Sequence, residues 1–166
     1  PAPFGAELLP VETAGEMRDA VLQVLPSSDA LLMAAAVADY RAAAISDQKI
    51  KKDPARGGGL ELELVRTPDI LAEVATVRRP DQIIVGFAAE TENLIENARD
   101  KLLRKHLDLI VANDARQAMG AASNKVTIIC AEGIQEELPL LSKDEVADRI
   151  LEHVMKLLGS PSTAKT

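Results

Sequence analysis

Aromatic side chains are nearly absent from the 166-residue chain: Phe4, Tyr40 and Phe87 are the whole complement, and there is no tryptophan. Platforms for stacking bases are therefore scarce, which weakens any role in binding single-stranded nucleic acid. Positive charge is short as well, with 19 Lys and Arg against 26 Asp and Glu and a formal net charge of −7. Nucleic acid and anionic membrane surfaces call for an overall basic field, so neither is expected as a partner. Cys130 is the only cysteine, which excludes an internal disulfide framework and a cysteine-based zinc cluster. No run of about 18 uncharged apolar residues exists, so no transmembrane helix is predicted. His106 and His153 are too few and too scattered for a metal site or a triad, and read as helix-end or surface residues. Nucleophile-elbow, Walker and G-x-G-x-x-G patterns are all missing. Pro1 begins no charged-then-apolar leader, which predicts a cytoplasmic protein without a signal peptide.

What the chain has is apolar content, 47% of residues, enough for the packed core of one domain. The expected domain runs over residues 1–158, with 159–166 as a disordered tail. Thr13 can cap a helix whose face carries Met17, Ala20, Val21 and Val24, stopped by Pro26-Ser27-Ser28. Ala30 to Val37 is a continuous apolar run suited to a strand buried on both faces. Residues 38–59 read as a long polar loop, Leu60 to Val65 as a half-exposed strand. Thr67 as cap and Pro68 at the first position predict a helix through Val77. Gln82 to Phe87 and Asp108 to Asn113 read as buried strands, with a Thr91-capped helix to about His106 between them. Lys125 to Ala131 and Gln135 to Leu140 form an expected antiparallel edge hairpin around Glu132-Gly133. Ser142 with Glu145 is a capping box opening a last helix through Leu158. This alternation predicts a three-layer, Rossmann-like α/β fold around a mostly parallel sheet, with ligands at the carboxyl ends of the strands.

Charge is distributed unevenly within the net −7. Lys49, Lys51, Lys52 and Arg56 surround Asp53, and Arg99, Lys101, Arg104 and Lys105 surround Asp100, so that each island nets +3. On a helical wheel Lys101 and Lys105 fall beside the apolar stripe of Leu94, Ile95, Ala98 and Leu102. Their stems are expected to pack while their ammonium groups reach the rim of the sheet. Two cations four residues apart repel unless an anion lies between them, and a phosphate chain is one candidate. Asp39, just after the first strand, suits ribose hydroxyls or a divalent cation, or else simply caps a turn. Cys130 sits in an apolar strand and reads as buried and inert.

Several segments in order carry a family resemblance: Ala34-Ala35-Ala36-Val37-Ala38-Asp39-Tyr40-Arg41, Lys49-Ile50-Lys51-Lys52, Pro68-Asp69-Ile70-Leu71, Gly86-Phe87-Ala88-Ala89-Glu90-Thr91, and Asp108-Leu109-Ile110-Val111-Ala112-Asn113-Asp114. Together they resemble the bacterial phosphopantothenoylcysteine synthetases (phosphopantothenate–cysteine ligases), the ligase half of a bifunctional coenzyme A biosynthesis protein. The resemblance implies a dimeric enzyme that uses CTP and Mg2+ to join phosphopantothenate and cysteine through an acyl-cytidylate. It implies CTP contacts from Met33, Ala34, Ala35, Asp39, Lys49, Pro68, Asp69, Ile70, Leu71, Phe87, Lys101 and Lys105. Lys49 is the implied catalytic residue, and Asp39 is also the implied magnesium ligand. A flavin-dependent decarboxylase domain is implied upstream, with no flavin bound by this chain. The family domain opens with a strand, a glycine- and serine-rich loop and a helix that have no counterpart here, so this chain alone is expected to be impaired. Two other expectations compete: a nicotinamide-dependent reductase, for which Tyr40 has no lysine four residues on, and a non-catalytic dimerisation module.

Overall fold

The computed structural model describes residues 4–46, 48–51, 60–114 and 123–159. Two compact units divide the chain, Pro1–Ala20 with Ala36–Asp69 and Val21–Ala35 with Ile70–Thr166. Helix α1 (Ala14–Val24) passes from one to the other. It opens on a reciprocal cap: Glu16 N donates to Thr13 Oγ1 at 3.1 Å, and Thr13 N donates to the Glu16 carboxylate at 3.1 Å.

The larger unit holds a five-stranded sheet in the order β1 (Ala30–Met33), β4 (Ile83–Glu90), β5 (Leu109–Asp114), β7 (Val126–Cys130), β8 (Gln135–Glu137). The first three strands run parallel, and β7 and β8 continue the sheet antiparallel as an edge hairpin. Gly133, at φ 93°, supplies the left-handed residue of that hairpin turn. Helices α2 (Ile70–Val77), α3 (Leu94–Arg104) and α4 (Lys143–Gly159) accompany the sheet. Alternate strand residues Ile83, Val85, Leu109, Val111, Val126 and Ile128 form one core with Val146, Ile150 and Val154 of α4. The opposite face carries Gly86, where a Cβ would come 2.5 Å from Leu107 Cδ1. Only glycine lets Leu107 approach the strand this closely.

Buried polar groups at the entrance to the sheet are satisfied. Gln82 donates from Nε2 to the carbonyls of Leu25 and Ser28 at 2.5 and 2.8 Å, and accepts from Arg79 N at 2.7 Å. Arg78 forms an ion pair of 2.6 Å with Asp108, and the same carboxylate oxygen accepts from Ile84 N at 2.8 Å. Helix α3 closes on a Schellman turn: His106 adopts φ 50°, with Leu107 N bonded to Leu102 O and His106 N to Leu103 O.

The smaller unit contains a two-stranded ribbon, β2 (Tyr40–Ala42) antiparallel to β3 (Leu64–Arg66). A further pair, β6 (Ser123–Asn124) with β9 (Leu141–Ser142), leads into α4. The expected Ser142–Glu145 capping box is present, with Ser142 N donating to Glu145 at 2.9 Å and Glu145 N to Ser142 Oγ at 3.2 Å.

Several expected boundaries move. The first strand ends at Met33 rather than Val37, because the alanines that follow add little to a pleated surface. The expected loop 38–59 contains β2, whose partner lies more than twenty residues on, and the strand expected at 60–65 is confined to 64–66. Thr67 caps no helix: α2 begins at Ile70, and the Thr67 hydroxyl donates to Ala38 O. The N-cap of α3 is Asn93, in the left-handed region, not Thr91. Strand β4 runs on to Glu90 because Ala88, Ala89 and Glu90 pair with β5. Gly159, expected in the tail, closes α4. Residues 160–166, Lys52, Asp53, Arg56 and the glycines at 57–59 lie outside the described residues.

His153 is another correction, being buried in α4 rather than at the surface. Its Nε2 lies 2.7 Å from Glu136 and its Nδ1 3.9 Å from Cys130 Sγ. A carboxylate can only accept, so Nε2 carries the proton. Burial pushes the Cys130 thiol up, and the charges of Glu132 and Glu136 add to this. Hydrogen bonds from His153 and then Arg149 hold Glu136 below its usual range. Glu136 therefore stabilises the fold above its ordinary pKa of 4.5, and the gain disappears as pH falls through the lower folded value. Glu136→Gln is expected to lower the thermal midpoint at pH 7, with the two melting temperatures converging as pH falls below the ordinary carboxylate range.

Candidate functional site

In the larger unit, the carboxyl end of β1 and the adjoining part of β4 gather several of the expected nucleotide-binding residues. Met33 pairs in register with Gly86, one residue before Phe87. Met33 itself is buried, while Ala34 and Ala35 leave the strand exposed. Phe87 is half-buried and packs against the core. Lys101, on the face of α3 turned to the sheet, donates from Nζ to the carbonyl of Phe87 at 2.7 Å. The residue is half-buried, and its ammonium stops within β4, level with the end of β1. A neutral carbonyl does not cancel the charge, and an ammonium has further N–H groups to offer a ligand. Lys105, one turn on, is half-buried at the C-cap of α3.

The second basic island does not act as one cluster. Arg99 turns away to donate to Gln135 Oε1 of β8 at 2.9 Å, and Arg104 is exposed. At the end of β4, Asn97 of α3 donates to Glu90 at 3.3 Å and to Glu92 O at 3.1 Å. Ile70 is 3% exposed, so the residue serves the core. Leu71 is half-buried.

In the smaller unit, Asp39 is exposed just before β2, and Pro68 and Asp69 lie just after β3. Thr67 joins the two places, donating from its backbone N to Asp39 O at 2.9 Å and from its hydroxyl to Ala38 O. Single-sequence reasoning misses this contact, since a Thr before Pro-Asp also fits a helix cap. Lys49 and Lys51 are exposed beyond a turn in which Ser46 Oγ donates to Gln48 O at 2.7 Å. Among the described residues no group of three His, Cys, Asp or Glu could hold a metal ion, and no helix is long and apolar enough to cross a membrane.

Comparison with known proteins agrees with this architecture. The chain is 46% identical over 155 residues to the coenzyme A biosynthesis bifunctional protein CoaBC of Bacillus subtilis, covering 92% of this chain and 37% of that protein. The CoaBC of Escherichia coli K12 is 38% identical over 158 residues, covering 93% of this chain and 39% of that one. The chain thus spans less than two-fifths of the length of these relatives. Among solved structures, the C-terminal domain of a CoaBC superposes with a TM-score of 0.72 at 38% identity, covering 89% of this chain and 64% of that one. A Cab2 mutant in complex with phosphopantothenate-cysteine shares the fold, with a TM-score of 0.70 at 19% identity, covering 90% of this chain and 53% of that one. Residues 1–158 match the family described as DNA/pantothenate metabolism flavoprotein, C-terminal domain, and the chain belongs to that family.

Proposed function

We propose that residues 1–158 act as a phosphopantothenate–cysteine ligase domain, joining 4′-phosphopantothenate to cysteine at the expense of CTP in coenzyme A biosynthesis. The observation that carries this proposal is the Lys101 ammonium held by the Phe87 carbonyl of β4, next to the Met33–Gly86 pair where β1 ends. A fixed cation at the carboxyl edge of a parallel sheet is placed to bind a phosphate chain. The membership of the family and the bifunctional CoaBC relatives support the same substrate class.

In this mechanism a carboxylate oxygen of phosphopantothenate attacks the α-phosphorus of CTP. A new P–O bond forms, pyrophosphate leaves, and an acyl-cytidylate results. The amine of cysteine then attacks the acyl carbon, CMP departs, and the amide remains. The mixed anhydride turns an unreactive carboxylate into an electrophile. Lys101 and Lys105 hold the triphosphate and offset charge on the leaving pyrophosphate. Lys49 neutralises phosphate charge and assists turnover of the acyl-cytidylate. Met33, Ala34 and Ala35 present backbone groups along the nucleotide, Phe87 packs against it, and Pro68 to Leu71 wall it at the start of α2.

Asp39 holds the ribose or a magnesium ion. Mg2+ on a nucleotide is bound by one or two carboxylates together with phosphates, so a single exposed Asp would fit that ion, the described residues forming no cluster of three metal-ligating side chains. When bound, the ion neutralises part of the triphosphate charge. No flavin is assigned to these residues. A flavin-dependent decarboxylase domain accompanies the ligase in the whole protein, in keeping with the greater length of the bifunctional relatives. The working form is a cytoplasmic homodimer. Ile45, Leu60, Leu62 and Leu64 of the smaller unit are each more than half exposed, an apolar surface suited to a partner.

The chain, alone and joined to the upstream segment of its family, is to be given CTP, phosphopantothenate and cysteine. Pyrophosphate is expected only when CTP and phosphopantothenate are both supplied, and CMP together with the amide product only when cysteine is added as well. Absence of CTP consumption by the joined chain refutes the proposal. Sedimentation equilibrium of the same sample is expected to return twice the chain mass, and a monomer rules out the dimer.

A further inference from the structure

Thr67 sits where β3 ends and Asp39 where β2 begins, and the ribbon ladder continues across them. Ala43 N donates to Glu63 O at one end, and Thr67 N donates to Asp39 O at the other, both at 2.9 Å. Pro68 follows and has no N–H. The Thr67 hydroxyl instead takes the carbonyl of Ala38, so one residue holds two successive carbonyls of the opposite strand. The two stretches joined in this way, Ala38–Asp39 and Pro68–Asp69, are both assigned to the nucleotide by the function proposed above.

We infer that Thr67 is a positioning residue for the nucleoside triphosphate, fixing the backbone of Ala38–Asp39 against that of Pro68–Asp69. This inference rests on the proposed ligase function. The geometry favours it over a purely structural role, because the hydroxyl is spent on the loop that presents Asp39 and not on the first turn of α2. A two-stranded ribbon is weakly stable by itself, so a loop at its base drifts unless it is tied. A nucleotide whose ribose or magnesium ion meets the Asp39 carboxylate while its other end meets a backbone edge binds well only if the separation of the two is held before it arrives.

The test compares Thr67→Val and Thr67→Ala, which lose the hydroxyl, with Thr67→Ser, which keeps it. Amide hydrogen exchange over residues 36–41 is followed without ligand, and CTP dissociation constants are measured by calorimetry. Both deletion variants are expected to exchange faster in that segment and to bind CTP more weakly, each by about three- to tenfold, the weight of one hydrogen bond. The serine variant is expected to restore both, with thermal midpoints close to the wild type throughout. Wild-type CTP affinity in the deletion variants, or failure of serine to restore it, overturns the positioning role. All variants are made in the chain joined to the upstream segment of its family. If that joined wild-type chain binds no CTP, the nucleotide assignment itself fails and the positioning role falls with it, even where exchange quickens.

Discussion

Asp108→Ala is expected to cost the fold about 3–5 kcal/mol, read as a fall in the urea midpoint at unchanged slope. The Asp108 carboxylate is paired with Arg78 at 2.6 Å, with side-chain exposures of 15% and 13%. Its oxygen also accepts the backbone N–H of Ile84. Removing it strands a largely buried guanidinium and a buried strand amide together, and each is expensive to leave unpaired. Arg78 keeps the carbonyls of His106 and Gln82, which are neutral and return only part of the loss. Replacing both partners, Arg78→Leu with Asp108→Leu, is expected to recover most of the stability, because the penalty lies in the orphaned charge. A double variant as unstable as Asp108→Ala contradicts this account.

Lys101→Met is expected to raise the CTP dissociation constant by about ten- to a hundredfold while changing stability by less than about 1 kcal/mol. Methionine keeps the apolar stem that packs along α3, so the loss isolates the ammonium. That group stops at the Phe87 carbonyl of β4, next to where β1 ends. A charged hydrogen bond to phosphate at a half-buried position is worth more than an exposed pair, since water competes less for it. Arg99→Met serves as the control from the same helix. Its charge is turned toward Gln135, and CTP affinity is expected to stay within about twofold of wild type. Equal losses from the two substitutions point to a diffuse electrostatic effect and remove Lys101 from the site.

Much of this protein is legible from its residues in order. The β-branched runs around Ile83–Val85 and Leu109–Val111 announce buried strands, because a strand covered on both faces must be apolar at every position. The Ser142–Glu145 pair announces the start of α4, because its reciprocal bonds join residues three apart. The Lys101 wheel position correctly turns the side chain to the sheet, since helix geometry alone sets which residues share a face. Family membership is also readable at this level, from the order of short motifs.

Tertiary structure decided the rest. Tyr40–Ala42 gives no strand signal of its own and becomes one only through Leu64–Arg66. Local rules make Thr67 a helix cap, yet its hydroxyl is taken by Ala38. The same rules leave His153 on a surface, where Glu136 and Cys130 instead enclose it. Lys101 and Arg99, two residues apart in one basic island, go to different strands. Composition, periodicity and capping are properties of neighbours along the chain, so the sequence by itself determined the strands of the five-stranded sheet, the starts of α1 and α4, and the family. Which distant carbonyl or carboxylate meets a given side chain depends on how those elements pack, and packing is where the candidate site acquired its geometry.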